Sequence, residues 1–429
     1  MHASASWLLR LLSVMFIALL SGSAFAAPLS SYNGDPNQVT VSGVSSGGAM
    51  AVQTHVAYSG TFKGAAIFAG NAYYCAEGSL AFALTRCMVA LSAAQVPVAS
   101  LVSTTRYWAM QGWIDNTANL INAKVYLFSG VLDQTVRQPA MDALRDYYLN
   151  FVTPANVVYN NQVMAGHSWV SLLGPNLCEV QQSPYINNCN LDVQQTFLSL
   201  FYGTLQPKQT GQLSGQFLAI DQAEFLEDRN PVVHGLDNNA WVYVPAACSR
   251  GELCKVHVAY HGCNMSFQKI GDQFVRRSGL NEWADTNNLI VLYPQIFPSL
   301  TEPVNGQGCW DWWGYDDADY AKKSGRQLLM TKRMVDRITS GYAPVAAPQN
   351  VAIAATSPYA IKLSWNAVSG ARGYNVYRNN VLANSSPLVS PNYRDSGLAA
   401  NATYVYTVRA IASNGNQGPA SEPVVATTR

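Results

Sequence analysis

The stretch Gly43-Val44-Ser45-Ser46-Gly47-Gly48 sets a serine between two glycines in the pattern GxSxG. A strand-like run, Gln38 to Ser42, leads into it, and a helix-compatible run, Ala49 to Ala57, leads out. In that context the pattern reads as a sharp strand-to-helix turn. The glycines let backbone pass where a Cβ would clash, and the Ser45 hydroxyl is left exposed at a helix N-terminus. A serine hydroxyl is a poor nucleophile at neutral pH. It needs a histidine to take its proton and a carboxylate to orient that histidine and stabilise its charged form. The chemistry expected of such a group is ester hydrolysis with Ser45 as nucleophile.

In an α/β-hydrolase the chain order is serine, acid, histidine, with the acid in a loop after a strand and the histidine beyond the next helix and strand. Lys124 to Phe128 is a strand candidate, and Ser129-Gly130-Val131-Leu132-Asp133 follows it. Arg137 to Phe151 has helical periodicity, Asn156 to Tyr159 is strand-like, and Gly166-His167-Ser168-Trp169 comes next. Position therefore selects Asp133 and His167. His55 falls in the helix after the serine turn, His257 inside a strand and His234 in a polar loop, where structural roles are expected. Asp142 and Asp115 are the alternative acids, and a turn-capping role is the competing account of Asp133.

Two backbone amides must face the oxyanion that forms on the substrate carbonyl. One belongs to the residue after the nucleophile, Ser46. The other comes from a His-Gly type turn after a neighbouring strand, which ordinarily precedes the serine. Here the matching segment, strand Lys255 to Tyr260 followed by His261-Gly262-Cys263, comes after it. Trp283-Ala284-Asp285 and the strand Leu289 to Pro294 then continue the sheet. Strand, His-Gly loop, helix, strand and helix moved from the front of a domain to its back constitute a circular permutation. Such a change is cheap where termini lie close together.

Alternating strand-like and helix-like segments over 27–341 predict an α/β domain with a mostly parallel sheet. Apolar runs at Val39–Val41, Ala65–Phe68, Val125–Phe128, Val256–Tyr260 and Leu289–Tyr293 are its strand candidates, and Met141, Leu144, Tyr148 and Phe151 mark one helix face. The Pro- and Ala-rich segment 342–348 reads as a linker. Residues 349–429 change character, to short alternating strands such as Ile361–Trp365, Gly373–Arg378 and Tyr404–Arg409 between turn residues. With Trp365, Tyr377 and Leu398 followed by Tyr404, this part resembles a fibronectin type III sandwich, which would serve as spacer or surface-binding module.

Residues 1–26 have the layout of a secretory signal peptide: Arg10, an apolar run Leu11–Leu20, and Ala24-Phe25-Ala26 before the cleavage point. That run is too short to span a bilayer, so a secreted, extracellular or periplasmic, protein with no stable membrane insertion is expected. Eight cysteines in an exported chain favour disulfides over metal binding. Nearest-neighbour pairing joins Cys75 to Cys87, Cys178 to Cys189, Cys248 to Cys254 and Cys263 to Cys309. Loss of Arg10 with the leader leaves basic and acidic side chains equal in number, which argues against nucleic acid as a partner. Charged residues make up 12% of the chain and aromatic ones 11%, a surface suited to a neutral, partly apolar substrate. No metal or cofactor is called for, and a monomer is expected.

The matching stretches are Gly43-Val44-Ser45-Ser46-Gly47-Gly48-Ala49-Met50, Ser129-Gly130-Val131-Leu132-Asp133, Gly166-His167-Ser168-Trp169, Tyr260-His261-Gly262-Cys263 and Gly308-Cys309-Trp310-Asp311-Trp312-Trp313. Together and in this order they resemble the extracellular short-chain poly(3-hydroxyalkanoate) depolymerases of the circularly permuted, single-catalytic-domain type. The resemblance implies Ser45, Asp133 and His167 as triad and the amides of Ser46 and Cys263 as oxyanion hole. It also implies Asn305 and Trp310 as contacts of a bound polyester such as poly(3-hydroxybutyrate). At least one of the three tryptophans at 310, 312 and 313 should be buried packing. Bacterial members add a polymer-binding domain after a fibronectin-like module. The given sequence stops after the module, so weak adsorption to granules is expected. The rival readings are an esterase of feruloyl or acetylxylan groups in plant walls, and a noncatalytic polymer-binding or adhesion protein on a hydrolase scaffold.

Overall fold

The computed structural model describes residues 26, 28–341, 345–412 and 417–429. The leader expected over 1–26 lies outside the described residues except for Ala26, and the linker expected over 342–348 lies partly outside them.

One sheet organises the larger domain. Its strands are β1 (Gly34–Val44), β2 (Phe62–Phe68), β3 (Lys124–Phe128), β4 (Val157–Asn160), β5 (Gln216–Asp221), β6 (Asn239–Val244), β7 (Cys254–Tyr260) and β8 (Leu289–Tyr293). They lie in the order β4-β3-β2-β1-β7-β8-β6-β5. Pairing is parallel from β4 to β8, while β6 runs antiparallel to both β8 and β5. The strand that would open an unpermuted α/β-hydrolase is therefore β5, and β1, the strand that leads to Ser45 and that would ordinarily lie in mid-chain, comes first. The displaced block is larger than the sequence suggested, because the antiparallel pair β5–β6 heads it.

Burial explains why these runs are strands. Along β2 and β3, Ala65, Ile67, Val125 and Leu127 pack into one apolar layer, and Ala66, Phe68, Tyr126 and Phe128 into the other. Alternating side chains thus fill both faces, as a sheet covered on both sides requires. The helices α1 (Ser46–Ala57), α3 (Val98–Met110), α4 (Gln138–Tyr148) and α7 (Arg326–Thr339) supply the first layer, and α5 (Val193–Tyr202) and α6 (Leu280–Thr286) the second. The short α2 (Leu80–Leu84) lies outside this arrangement, in a loop closed by the Cys75–Cys87 disulfide. Every residue of α1 is buried, the polar Gln53, Thr54 and His55 included, so the helix has no exposed polar face and no single apolar stripe. The helix expected over Arg137 to Phe151 stops at Tyr148, and the chain continues through turns closed by the Asn150 and Phe151 N–H groups on the Tyr147 and Tyr148 carbonyls before Thr153, ahead of Pro154, turns extended. The strand expected from Asn156 is shifted by one residue.

Two further disulfides, Cys178–Cys189 and Cys248–Cys254, close short loops, and Cys263–Cys309 joins the end of β7 to a distant loop. Among the described residues no helix is long and apolar enough to cross a membrane.

The smaller domain packs the sheet β9 (Ala352–Ser357), β10 (Ala360–Ser364), β13 (Asn392–Ser396) on a second sheet. The second is built from β11 (Ala371–Arg378), β12 (Val381–Leu382), β14 (Thr403–Ala412), β15 (Gln417–Ala420) and β16 (Val424–Thr427). Trp365, Ile361, Val376 and Val408 lie in its core, and the Tyr404 hydroxyl accepts the Ala399 N–H at 3.1 Å, the corner bond of this sandwich type.

This domain is docked. The turn closed by Cys248–Cys254 offers its Gly251 carbonyl to the Gln417 N–H (3.1 Å), its Arg250 carbonyl to Gln417 Nε2 (3.1 Å), and Glu252 to Arg409 (3.1 Å). Glu252 and Arg409 side chains are only 12% and 17% exposed, so their attraction is less screened than on an open surface. A double-mutant cycle with Glu252→Gln and Arg409→Gln should give a coupling of about 1 kcal/mol in chemical unfolding. Strict additivity would mean that the two domains separate in solution.

Candidate active site

β1 delivers Ser45 as the residue just after its last position, and α1 starts at Ser46. Ser45 holds φ 59° and ψ −123°, a conformation that costs an L-residue on the order of 1–3 kcal/mol and persists only where the surroundings enforce it. The enforcement is visible at the two glycines. A Cβ on Gly43 would lie 2.0 Å from the Gly47 carbonyl oxygen, and one on Gly47 would lie 2.3 Å from the His261 carbonyl oxygen. The turn is thus pressed both on itself and on the end of β7. The Ser45 N–H donates to the Phe68 carbonyl at 2.9 Å, tying the turn to β2 as well.

Three loops at the carboxyl ends of β1, β3 and β4 bring the sequence-selected side chains together. Asp133 follows β3 and is 3% exposed; its Oδ1 accepts the N–H groups of Thr135 and Val136, both at 2.8 Å. Those two bonds orient the carboxylate, so that Oδ2 faces His167 Nδ1 at 2.7 Å. His167, beyond β4, turns Nε2 to Ser45 Oγ at 2.8 Å. The only tautomer that satisfies both contacts has Nδ1–H donating to Asp133 and Nε2 accepting the serine proton. Three groups, two of which, Ser45 and His167, are 122 positions apart in the chain, form one line.

The alternatives lie elsewhere. His257 sits in the sheet between Thr40 and Ser42, each at 2.7 Å, and His55 bonds the Tyr148 hydroxyl at 3.0 Å. Burial pushes both imidazoles down to about 3, so they stay neutral at working pH as internal hydrogen-bonding groups. His234 is held between Asp228 and Asp316 on another face. Asp115 binds the Gly60 N–H and Lys323, and Asp142 faces Arg145.

The Ser46 and Cys263 amides, one at the first turn of α1 and one after β7, have no acceptor among the described residues. Gly262 brings them close, since a Cβ there would stand 3.2 Å from the Ser45 Cβ. His261 organises the turn. Burial lowers it to about 4; as a neutral ring its Nδ1–H donates to the Gly262 carbonyl (2.7 Å) and its Nε2 accepts the Ile296 N–H (3.3 Å).

A cleft of about 250 Å³ opens beside Ser45, walled by Leu80, Leu84, Met88, Asn305, Trp312 and Trp313. One sequence expectation needs correction here. Trp310 is fully buried, with its indole N–H on the His261 carbonyl at 3.0 Å and its ring against Tyr260, so its side chain lies under the His261-Gly262-Cys263 turn and not in the wall of the cleft. Asn305 borders the cleft, and its amide also bonds the Cys309 carbonyl, the Cys309 N–H and the Tyr315 hydroxyl. It staples the loop. Leu80, Leu84 and Met88 were not foreseen; the one sequence signal was a Leu- and Phe-bearing helix inside a disulfide loop.

Comparison with known proteins bears on this geometry. A family model described as "Fibronectin type III domain" matches residues 346–427. Over 399 residues the chain is 47% identical to a poly(3-hydroxybutyrate) depolymerase of Delftia acidovorans, covering 90% of this chain and 78% of that one. Over 340 residues it is 37% identical to a polyhydroxybutyrate depolymerase of Talaromyces funiculosus, covering 76% and 96%. Among solved structures, the crystal structure of PHB depolymerase from Penicillium funiculosum superposes with a TM-score of 0.68 at 36% identity, over 74% of this chain and all (100%) of that one. A serine-to-alanine variant of PHB depolymerase complexed with an R3HB trimer gives the same TM-score, 0.68, at 35% identity.

The packing at the turn makes a sharp test. Gly47→Ala should cut turnover of a soluble p-nitrophenyl ester at least ~100-fold, the order expected when reacting groups shift by about 1 Å. Circular dichroism would check that the sheet survives. An active, folded alanine variant would show that the contact with β7 is slack.

Proposed function

The chain belongs to the polyhydroxybutyrate depolymerase family, and from that premise we propose that it hydrolyses the ester bonds of poly(3-hydroxybutyrate) as a serine esterase, with Ser45, His167 and Asp133 as its catalytic groups. The observation that carries the reading is the line of two short hydrogen bonds, Ser45 to His167 at 2.8 Å and His167 to Asp133 at 2.7 Å, opening on an apolar cleft.

The steps follow from the geometry. Ser45 Oγ attacks the ester carbonyl carbon while His167 Nε2 takes its proton, and Asp133 stabilises the imidazolium without itself being protonated. The negative charge that builds on the carbonyl oxygen meets the Ser46 and Cys263 amides, which are already in place and need no reorganisation. Collapse of the tetrahedral species breaks the ester C–O bond; His167 returns the proton to the leaving hydroxyl of the shortened polymer, and a 3-hydroxyacyl ester remains on Ser45. Water, deprotonated by His167, then repeats the sequence and releases a 3-hydroxy acid or short oligomer. The cleft suits a polyester because its walls are leucine, methionine and tryptophan, with few charges to desolvate.

The rival readings as a plant-wall esterase or a noncatalytic binder are not favoured, since relatives spanning most of the chain carry the depolymerase name. Export belongs to the proposal: four disulfides suit an oxidising compartment, and a polymer granule outside the cell must be met there. Action as a monomer is proposed likewise, because all three triad side chains come from one chain.

Release of 3-hydroxybutyrate from a polymer suspension tests the assignment. Ser45→Ala should lower turnover by roughly a millionfold. Asp133→Asn should lower it by about 10⁴, because the amide can hold His167 in the wrong tautomer. Near-normal clearing by the Ser45 variant would remove the serine mechanism while leaving the substrate intact as a conclusion.

A further inference from the structure

The two tryptophans that wall the cleft stand on a loop, 309–317, that contains neither helix nor strand. Something other than a backbone ladder must hold them. At the centre of the loop lies Asp311, 1% exposed. Its Oδ1 accepts the N–H groups of Gly314 (2.7 Å) and Tyr315 (2.9 Å), and its Oδ2 those of Asp316 (3.1 Å) and Asp317 (3.0 Å). Its own backbone is clamped between two helices: its N–H donates to Gln327 of α7 at 2.9 Å and its carbonyl accepts from Gln53 of α1 at 3.1 Å. One residue earlier, the Trp310 N–H donates to the Ser46 hydroxyl at 3.3 Å.

We propose that Asp311 is a positioning residue for polymer binding, its ionised carboxylate gathering four loop N–H groups so that Trp312 and Trp313 stand as a fixed wall beside Ser45. The proposal rests on the Ser45-centred reading of the cleft. Only a carboxylate can do this. Ionised, it offers acceptors on both oxygens; protonated, one oxygen becomes a donor facing N–H groups that are donors too.

The loop is therefore acid-sensitive. Desolvation pushes the Asp311 carboxyl up to about 6, against the pull of the four N–H groups. The charges around it are Asp316, paired with Arg326 and His234, and Asp317, which accepts the Arg326 N–H; Asp319 is paired with Lys322. The phenols of Tyr315 and Tyr320 also face it, whereas α1 and α7 present the neutral Gln53 and Gln327. A carboxyl raised in the folded state from 3.8 to about 6 adds most to global stability below the lower value, and that contribution is lost as pH rises through the higher one. Acidification below about 6 thus loosens the wall without any loss of global stability from this group.

The experiment uses the full chain with Asp311→Asn, which puts an amide donor where two N–H groups need an acceptor. kcat and KM are measured from pH 5 to 8 on a soluble 3-hydroxybutyrate trimer and on p-nitrophenyl acetate, which reaches Ser45 but is too small to span the wall. The ratio of trimer to acetate kcat/KM should fall about tenfold through KM, the scale of losing a hydrogen bond to a charged group. The rise in wild-type trimer KM below pH 6 should be absent in the variant. An unchanged ratio, or a loss equal on both substrates and confined to kcat, overturns the proposal. Should the variant not fold, hydrogen exchange on the wild type decides: amide protection at 314–317, corrected for intrinsic rates, must fall between pH 7 and 5, and constant protection overturns it. Ser45→Ala run alongside keeps the questions apart, because residual activity there would fault the nucleophile and not the loop.

Discussion

The parallel pairing of β1 with β7 is the constraint on which the site depends. Its register sets Ser42 opposite Ala259 and Gly43 opposite Tyr260, so the strand that leads to Ser45 and the strand that leads to the His261-Gly262-Cys263 turn finish side by side. From there the spacing leaves no freedom: the glycine turn has to pass the His261 carbonyl at a distance no side chain would tolerate. A buried polar rung holds that register. His257 of β7 bonds Thr40 and Ser42 of β1, and because its ring is kept neutral by desolvation it serves as one donor and one acceptor across the working pH range.

Tryptophan and cysteine then fasten the oxyanion turn from the other side. Cys263 carries one proposed oxyanion amide and is bonded to Cys309, whose neighbour Trp310 packs under the same turn and donates to its carbonyl. The loop that shapes the cleft and the turn proposed to hold the oxyanion are therefore tied to each other by a disulfide and a hydrogen bond. This also accounts for a cluster of three tryptophans of which one is entirely inside: the Trp310 indole packs under the turn, while Trp312 and Trp313 line the cleft.

Much of this was legible from residue types. GxSxG needs glycine for a steric reason that holds in any sequence, and the acid and histidine fall at strand ends because parallel sheets put loops of adjacent strands at one edge. The strand runs at Ala65–Phe68 and Leu289–Tyr293 were plain because both sheet faces are covered, which makes them continuously apolar. β5 and β6 escaped notice for the converse reason. Gln216–Asp221 is a half-exposed edge strand bounded by polar residues, and Asn239–Val244 opens with two residues from a polar loop. Which tryptophan faces the cleft could not be read either, since an irregular loop has no period to assign faces.

The permutation explains where the second domain is attached and why it stays clear of the chemistry. The new chain ends arise between α7 and β1, and they have not drifted apart. The Tyr32 N–H still donates to the Ile338 carbonyl at 3.1 Å, and Arg337 reaches the Leu29 carbonyl at the same distance, 3.1 Å. The sandwich that follows α7 is thus launched from the amino-terminal edge of the central strands, where it meets Asn33 ahead of β1 and the Gly251 turn ahead of β7. Ser45, Asp133 and His167 lie at the carboxyl edge. With 11 residues in β1 and about 3.3 Å per residue, roughly 30 Å of sheet separates the two. Among the described residues none of the sandwich lines the cleft. Whatever surface the sandwich touches, it touches from the edge of the sheet opposite Ser45.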